Sequence, residues 1–261
     1  MAQPKSVAGS LDDIRTDIAA SDLHHIWIRG YDLTGEVLGN RSFTEIVFLL
    51  VAKRFPEDDE RRMADALLVS LMEHGLTPSA MVARVTYTTA PESLQGAVAA
   101  GLLGAGGVVL GSMEECGMLL TRIADETAGG VAREDAIAEI VEEYRASRRH
   151  IPGVGHAIHT EGDPRAVRLF ELAEEYGFSG DHVAAVQELS TAAARSKPLP
   201  INVTGAVAAI LLELGIPWQL HRGFALISRS AGLIGHIGEE IEQPITPAIR
   251  GLLRRSERSE G

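Results

Sequence analysis

The chain has 261 residues, of which 45% are apolar and 23% charged, as is typical of a globular protein with one large or two small domains. Its formal net charge of −12 argues against nucleic-acid binding, because phosphate backbones are bound by clustered positive charge. A few local cations could still hold a phosphorylated small ligand. Aromatic residues make up only 5%, and a core of small aliphatic side chains favours helix–helix packing.

The single cysteine and the apolar segments indicate a compartment. Cys116 cannot form an internal disulfide, which favours a reducing environment, and we interpret it as a buried core residue. No apolar segment reaches the about 20 residues of a membrane span, and residues 1–13 have no signal-peptide pattern. We expect a cytoplasmic protein without a membrane partner.

The first third of the chain predicts helices after a polar start. Residues 1–22 favour a helix only weakly, and the glycine-marked segment 35–40 predicts a turn. Ser42 and Glu45 form a capping-box pattern ahead of the apolar segment 42–55.

A second helix is expected after Pro56, where the acidic residues 57–59 suit a helix N-terminus, and Gly75 is its predicted end. Its apolar face follows helical spacing and consists of Met63, Leu67, Leu71 and His74.

The middle of the chain continues the helical pattern. Residues 91–111 are small, apolar and glycine-rich, which predicts a buried helix followed by a turn. Asp163 and Pro164 suit the cap and first turn of another helix. Residues 134–147 predict an amphipathic helix whose inward side chains are Ile137, Ile140, Val141 and Tyr144.

The last third predicts two apolar helices, 205–215 and 223–241, after the chain-breaking segment 196–203. The tail 251–261 is charged, and we expect it to be frayed. With about ten helices and no convincing sheet, the fold class is all-α.

The segment "PGVGH" (152–156) is the first candidate site. Glycine-rich turns leave N–H groups free for anions and let a flat ring approach the backbone. The pattern is neither a Walker loop nor a dinucleotide fingerprint. A plain helix-breaking loop is the alternative interpretation.

Arg229 is the second candidate, because it interrupts an otherwise apolar helix. A buried guanidinium requires an anionic partner, and no acid follows at helical spacing until Glu239. A ligand carboxylate would satisfy it in a bidentate manner.

Four separated segments together resemble the citrate synthase superfamily, and within it the short citryl-CoA lyase-type proteins. The resemblance extends over residues 28–244. The matching segments are His74-Gly75-Leu76, Gly153-x-Gly155-His156 with Asp163-Pro164-Arg165, Asn202-Val203-Thr204, and Ser228-Arg229 with Gly232.

The resemblance implies an intertwined homodimer whose large domain comprises residues 1–112 and 216–261. The small domain, 113–215, would carry the coenzyme A loop, and we expect no metal. His156 would donate to the keto or hydroxyl oxygen of an oxaloacetate-like group. The implied carboxylate ligands are His74, His156, Arg165 and Arg229; the implied coenzyme A contacts are Pro152, Gly153, Val154, Gly155 and Asn202.

Two catalytic positions depart from the family pattern. Val109 stands where a catalytic histidine is usual, and Thr204 replaces the catalytic aspartate, so that His74, His156 and Thr204 are the catalytic candidates that remain. The basic residue usual before Asp-Pro-Arg is also missing, since 159–161 reads His-Thr-Glu. The late arginine before proline is here Gln243.

Three functions therefore stay open. The first is a lyase that cleaves, or forms, the C–C bond between an acyl-CoA and an oxaloacetate-like keto acid. The second is a non-catalytic binder of acyl-CoA and carboxylates. The third is a CoA-thioester hydrolase with Glu114 as its base. Ser112 and Glu115 could also substitute for the lost groups, although solvated or capping roles are the alternative. We interpret most other histidines as structural or surface residues, but His236 lies on the Arg229 face two turns along.

Overall fold

The computed structural model describes residues 15–155, 162–194 and 199–256, with the backbone alone for residues 107–110 and 256. The chain divides into two compact units, residues 1–61 and 62–261. Helices dominate the described residues, which confirms the all-α prediction.

The first unit contains a small sheet that the sequence analysis missed. Three short antiparallel strands pair in the order β1-β2-β3, and a single π-helical turn, Leu33–Val37, follows them. Two or three residues per strand are too few to show an alternating pattern. The strands are β1 (Ala19–Ser21), β2 (Ile26–Ile28) and β3 (Tyr31–Asp32).

The first helix of this unit, α1 (Phe43–Ala52), begins as predicted. The Ser42 hydroxyl accepts a hydrogen bond from the Glu45 N–H, and the Glu45 carboxylate accepts one from the Ser42 N–H. The capping box is therefore confirmed.

The remaining helices follow in close succession. They are α2 (Asp58–Met72), α3 (Pro78–Thr89), α4 (Leu94–Leu103), α5 (Gly107–Ala128), α6 (Arg133–Ala146), α7 (Pro164–Glu175), α8 (Asp181–Ala193), α9 (Val203–Glu213), α10 (His221–Glu242) and α11 (Thr246–Ser256). A 3₁₀ turn, Trp218–Leu220, precedes α10.

Helix α9 lies at the centre of the second unit. It packs against α5, α7 and α8, and nearly all its residues from Val203 to Leu211 are buried. A helix that is apolar on all sides is expected in such a position. The start of α9 is therefore fixed by its surroundings.

A second core joins α3, α4 and α10. Gly101 of α4 meets Leu233 of α10 so closely that a Cβ atom would lie 2.8 Å from the leucine Cδ1. The buried cluster around them consists of Ala80, Ala83, Ala97, Leu233 and Ile237. Small side chains let these helices approach one another, as the composition indicated.

A buried ionic network ties α3 to the end of α10. The Arg84 side chain is 2% exposed and donates to Glu240 and Glu239, at 2.7 Å each, and to the Gln243 carbonyl at 3.0 Å. Glu240 is also buried, so both charges of this pair are removed from water and depend on these hydrogen bonds to compensate for it.

Three local predictions require correction. Helix α2 ends at Met72, so His74 lies beyond the helix and is exposed, although Met63, Leu67 and Leu71 are buried as predicted. The predicted glycine-marked turn after α4 is confirmed at residues 104–106, but it is shorter than expected, because the long helix α5 begins at Gly107. The charged tail is helical as far as Ser256.

Other local predictions hold. The Asp163 carboxylate accepts from the Arg165 N–H at the start of α7, with Pro164 in the first turn. The four residues predicted to face inward from α6 are buried. In the described part of the chain, no helix combines the length and the apolar character that crossing a membrane requires. The implied domain boundaries lie inside the second unit and stay a prediction.

Candidate functional site

The glycine turn at 152–155 is anchored to the segment that begins α9. The Gly155 N–H donates to the Pro200 carbonyl at 2.7 Å, and the Gly155 carbonyl accepts from Asn202 Nδ2 at 2.8 Å. The Asn202 N–H donates to the Gly153 carbonyl at 3.1 Å. Several backbone groups of the turn thus have partners within the chain, and the turn is held in one shape.

The two glycines Gly153 and Gly205 allow a close contact between the turn and α9. A Cβ atom on Gly153 would lie 2.6 Å from Cys116 Sγ and 2.8 Å from the Gly205 Cα, and the φ angle of Gly153 is +80°. Pro152 and Val154 beside it are buried. Glycine is therefore required here for packing as well as for backbone conformation.

Cys116 lies in this contact and is fully buried, as predicted. Burial raises the pKa of its thiol to about 12. A thiol of this kind is not available as a nucleophile near neutral pH.

Thr204, which the resemblance aligns with a catalytic aspartate, belongs to a chain of hydrogen-bonded polar side chains. The Thr204 hydroxyl donates to Asn202 Oδ1 at 2.6 Å, so the Ser112 hydroxyl, 3.0 Å away, must donate to Thr204. Asn202 Oδ1 also accepts from the Thr204 N–H, which caps α9. None of these three side chains titrates near neutral pH, so they can orient a ligand but cannot accept its proton.

Arg165 is held by the chain itself. Its Nε and Nη2 atoms donate to the two oxygens of Asp163 at 3.1 and 3.0 Å, and Asp163 also accepts from the Val203 N–H at 3.0 Å. Burial acts to raise the pKa of Asp163, but the bonds from Arg165 outweigh it and keep that pKa below its usual range. Arg165 is thereby fixed beside the start of α9.

A second group of predicted residues forms around Glu73, which the sequence analysis did not single out. Arg229 is buried as predicted, and its Nη1 has no hydrogen-bond partner among the described residues. The Glu73 Oε1 lies 3.9 Å from that atom and 2.9 Å from His236 Nε2, and it accepts from the His74 N–H at 2.7 Å. We call Glu73, Arg229 and His236 the Glu73 cluster.

Gly232 explains how these distant segments meet. A Cβ atom at this position would clash with the Met72 carbonyl and lie 2.7 Å from Glu73 Oε2. The glycine therefore lets the end of α2 lie against α10, and the His-Gly-Leu and Ser-Arg-x-x-Gly segments come together.

The electrostatics of the cluster favour an ionised Glu73. Burial acts to raise the pKa of Glu73, but the hydrogen bonds from His236 and from the His74 backbone, with the charge of Arg229, bring it below its usual value. A carboxylate from the chain thus lies near a buried guanidinium whose Nη1 has no hydrogen-bond partner among the described residues. This arrangement can accept a ligand carboxylate.

Arg222 and Arg229 lie on the same face of α10, because they are seven residues apart, which corresponds to a rise of about 10 Å along the helix. Arg222 pairs with Glu114 of α5 at 2.5 Å.

Three predicted positions cannot be placed with their side chains. His156 and His159 lie outside the described residues, and only the backbone of Val109, in the first turn of α5, is described. Their roles stay predictions. Glu115 is exposed, and Glu114 is engaged by Arg222.

His221 was interpreted as structural, and its environment supports that view. The ring is fully buried, its Nε2 lies 3.0 Å from the Ile216 carbonyl, and burial lowers its pKa to about 4. A neutral ring donating to a carbonyl is a packing element.

The family follows from sequence comparison. The model of the citrate synthase C-terminal domain matches residues 52–251. This chain belongs to the citrate synthase family. A citrate synthase of Heyndrickxia coagulans is 26% identical over 209 residues, which cover 78% of this chain and 54% of that protein. The chain spans about half the length of the curated relatives it matches.

Solved structures of this superfamily show the same fold. The citryl-CoA lyase of Hydrogenobacter thermophilus is 34% identical, with a TM-score of 0.79 and coverage of 88% of both chains. The ATP citrate lyase of Methanothrix soehngenii, solved with citrate and coenzyme A, is 21% identical, with a TM-score of 0.74 over 93% of this chain and 43% of that chain. The second likeness concerns the fold alone.

Proposed function

We propose that this chain binds a CoA thioester together with a small hydroxy- or keto-carboxylate and cleaves or forms the C–C bond between them. The observation that carries the proposal is the match to a citryl-CoA lyase over 88% of both chains at 34% identity. Arg229 supports a carboxylated ligand, because it is buried and its Nη1 has no hydrogen-bond partner in the part of the chain that the structure describes. A homodimer and a cytoplasmic location belong to the same proposal.

The binding roles follow from the positions of the side chains. Arg229 would hold one ligand carboxylate, and Arg165, fixed beside α9 by Asp163, a second. His74 would lie at the Arg229 site, because its backbone N–H donates to the carboxylate of Glu73 in the same cluster. The turn 152–155 and Asn202 would hold the CoA half of the ligand.

In the cleavage direction the tertiary hydroxyl of a 3-hydroxy-3-carboxyacyl-CoA, such as citryl-CoA, loses its proton. Its oxygen forms the keto group while the C–C bond breaks and the electron pair passes to the thioester enolate. That enolate takes a proton from water at the α-carbon and leaves as acyl-CoA. We assign the hydroxyl proton to His156, whereas Thr204 and Ser112 can only donate hydrogen bonds.

The test measures the keto acid. Purified protein with citryl-CoA should release oxaloacetate and acetyl-CoA in equal amounts, without free thiol, in an assay coupled to NADH oxidation by malate dehydrogenase. The R229Q variant should lose most of this activity, because the ligand carboxylate would lose the guanidinium group that binds it. If no keto acid appears from a panel of 3-hydroxy-3-carboxyacyl-CoA esters, the lyase proposal is wrong.

A second candidate, a non-catalytic binder, is favoured by the hydroxyl chain at Thr204. No titrating side chain among the described residues hydrogen-bonds to Thr204, so the usual proton transfer has no acceptor there. In this case CoA esters should raise the melting temperature and be recovered intact. The double variant V109H/T204D should then gain cleavage activity. The hydrolase alternative is weakened because Glu114 is paired with Arg222.

A further inference from the structure

One face of helix α10 carries Arg229, Gly232 and His236, which are spaced by three and four residues and therefore lie above one another. Gly232 leaves room for Glu73, which comes from just beyond the end of α2. The Glu73 carboxylate thus lies beside an arginine and a histidine of one helix face. The Arg229 and His236 side chains are each 10% exposed, whereas that of Glu73 is 41% exposed. The carboxylate therefore has more freedom to move than either neighbour.

The Glu73 carboxylate is hydrogen-bonded to the histidine of this face and not to the arginine. Its Oε1 lies 2.9 Å from His236 Nε2 and accepts from the His74 N–H at 2.7 Å, but it lies 3.9 Å from Arg229 Nη1, beyond hydrogen-bond distance. Against the effect of burial, the hydrogen bonds from His236 and from the His74 backbone keep the pKa of Glu73 below its ordinary value, so the carboxylate is ionised at neutral pH and can only accept. His236 must therefore carry a proton on Nε2 and donate a hydrogen bond from it.

The other nitrogen of the His236 ring faces a second carboxylate. Nδ1 lies 3.8 Å from Glu239 Oε2, and the same oxygen accepts from the buried Arg84 at 2.7 Å. Arg84 is held in turn by Glu240, so this side of the ring borders the ionic network between α3 and α10. The ring is therefore supported on one side while its Nε2 holds Glu73 on the other.

We propose that His236 is a positioning residue that holds Glu73 away from Arg229, so that the guanidinium group stays open to a ligand carboxylate. The ligand itself rests on the proposed function. Arg229 Nη1 has no hydrogen-bond partner among the described residues, and Glu73 Oε1 would need to move only about 1 Å to become one. A carboxylate and a guanidinium at that distance form a strong charged hydrogen bond. Without His236, a ligand would have to displace Glu73.

Calorimetric titration of the full chain with oxaloacetate tests the proposal. H236A should bind oxaloacetate about tenfold more weakly than wild type, because a hydrogen bond between charged groups is worth about one order of magnitude in affinity. H236Q should keep most of the wild-type affinity, since its amide nitrogen can donate to Glu73 in place of Nε2.

The same substitution in the E73Q background separates positioning from other roles of the ring. E73Q/H236A should bind oxaloacetate as tightly as E73Q, because a neutral amide competes only weakly for Arg229. Both backgrounds lose the same imidazole, so a loss of packing around His236 cancels in the comparison.

The matched control is H182A, which removes an imidazole 3.5 Å from Glu213, where α8 packs against α9. If H236A binds oxaloacetate as tightly as H182A, the proposal is wrong. It is equally wrong if H236A weakens binding by the same factor in the E73Q background, because His236 would then contact the ligand or support the fold. Absence of oxaloacetate binding to wild type would overturn this proposal and the proposed function together. Binding that depends on His236 only when Glu73 is present, without keto-acid release from citryl-CoA, would support the positioning role and refute the lyase.

Discussion

The substitution E73Q tests the idea that Arg229 is the carboxylate site. It removes the negative charge of the Glu73 cluster and keeps the size of the side chain. At 3.9 Å and an effective dielectric constant of about 20, two unit charges attract by about 4 kcal/mol. Because the Glu73 side chain is 41% exposed, solvent screening reduces this value to about 1 kcal/mol.

Two opposite effects should follow from this one change. The free energy of unfolding should fall by about 1 kcal/mol, because Arg229 and His236 lose an anionic neighbour. The affinity for oxaloacetate should rise about fivefold, because the ligand carboxylate no longer competes with Glu73, and about 1 kcal/mol corresponds to that factor. A loss of stability with a gain of binding is characteristic of an internal competitor.

Urea unfolding and calorimetric titration at pH 7 measure both effects. The control is E242Q, which makes the same change of charge at an exposed position at the end of α10, the helix that carries Arg229. The folded pKa of Glu73 lies below its ordinary value, so its contribution is present above that value and is lost as the pH falls through the folded pKa. Weaker oxaloacetate binding in E73Q, or no difference from E242Q, would refute the reasoning.

Three further results are expected from buried titrating groups. Burial acts to raise the pKa of Glu240, but hydrogen bonds from the backbone and from Arg84 overcome this effect and hold it at about 2. The E240Q substitution should therefore lower the free energy of unfolding by about 3 kcal/mol at pH 7. In urea unfolding that deficit should shrink as the pH falls from 4.5 toward 2, and a constant deficit would contradict it. Burial lowers the pKa of His221 to about 4, so between pH 6.5 and 4 the unfolded chain binds a proton that the folded chain excludes. The free energy of unfolding of the wild type should therefore fall by up to about 3 kcal/mol over this pH range. The H221Q variant should lack this loss, and an equal slope in both proteins would count against it. Because burial raises the pKa of Cys116 to about 12, Ellman's reagent at pH 8 should react only after unfolding, and rapid labelling of the native protein would disprove its burial.

Features that depend on neighbouring residues could be predicted from the sequence. The Ser42–Glu45 capping box and the start of α7 at Asp163 and Pro164 need only a few adjacent side chains. The all-α class followed from helical periodicity in the same way. Within α2, helical periodicity correctly predicted that Met63 is buried. It also extended the helix to His74, beyond its end at Met72, because propensity alone does not mark where tertiary packing ends a helix.

Features that depend on distant parts of the chain were missed. Helical spacing within α10 offers Arg229 no acid before Glu239, whereas its neighbour Glu73 lies just beyond the end of α2. No periodic pattern records such a pair. The same holds for Gly232, whose role is visible only against the Met72 carbonyl. The resemblance to a family did bring the two segments into one hypothesis, because it compares whole chains.

The glycine turn changes its meaning between sequence and structure. Its two glycines suggested a loose backbone free to bind a nucleotide ring, but Gly153 packs against Gly205, and the Gly155 carbonyl accepts from Asn202. A turn held in this way is preorganised, so little conformational entropy is lost when a ligand binds beside it. Its discrimination must then come from side chains at its edge. Among the described residues, Arg148 and Arg149 lie at this edge with no carboxylate within ion-pair distance, so a loss of CoA affinity on their removal would separate a CoA site from a merely well-packed turn.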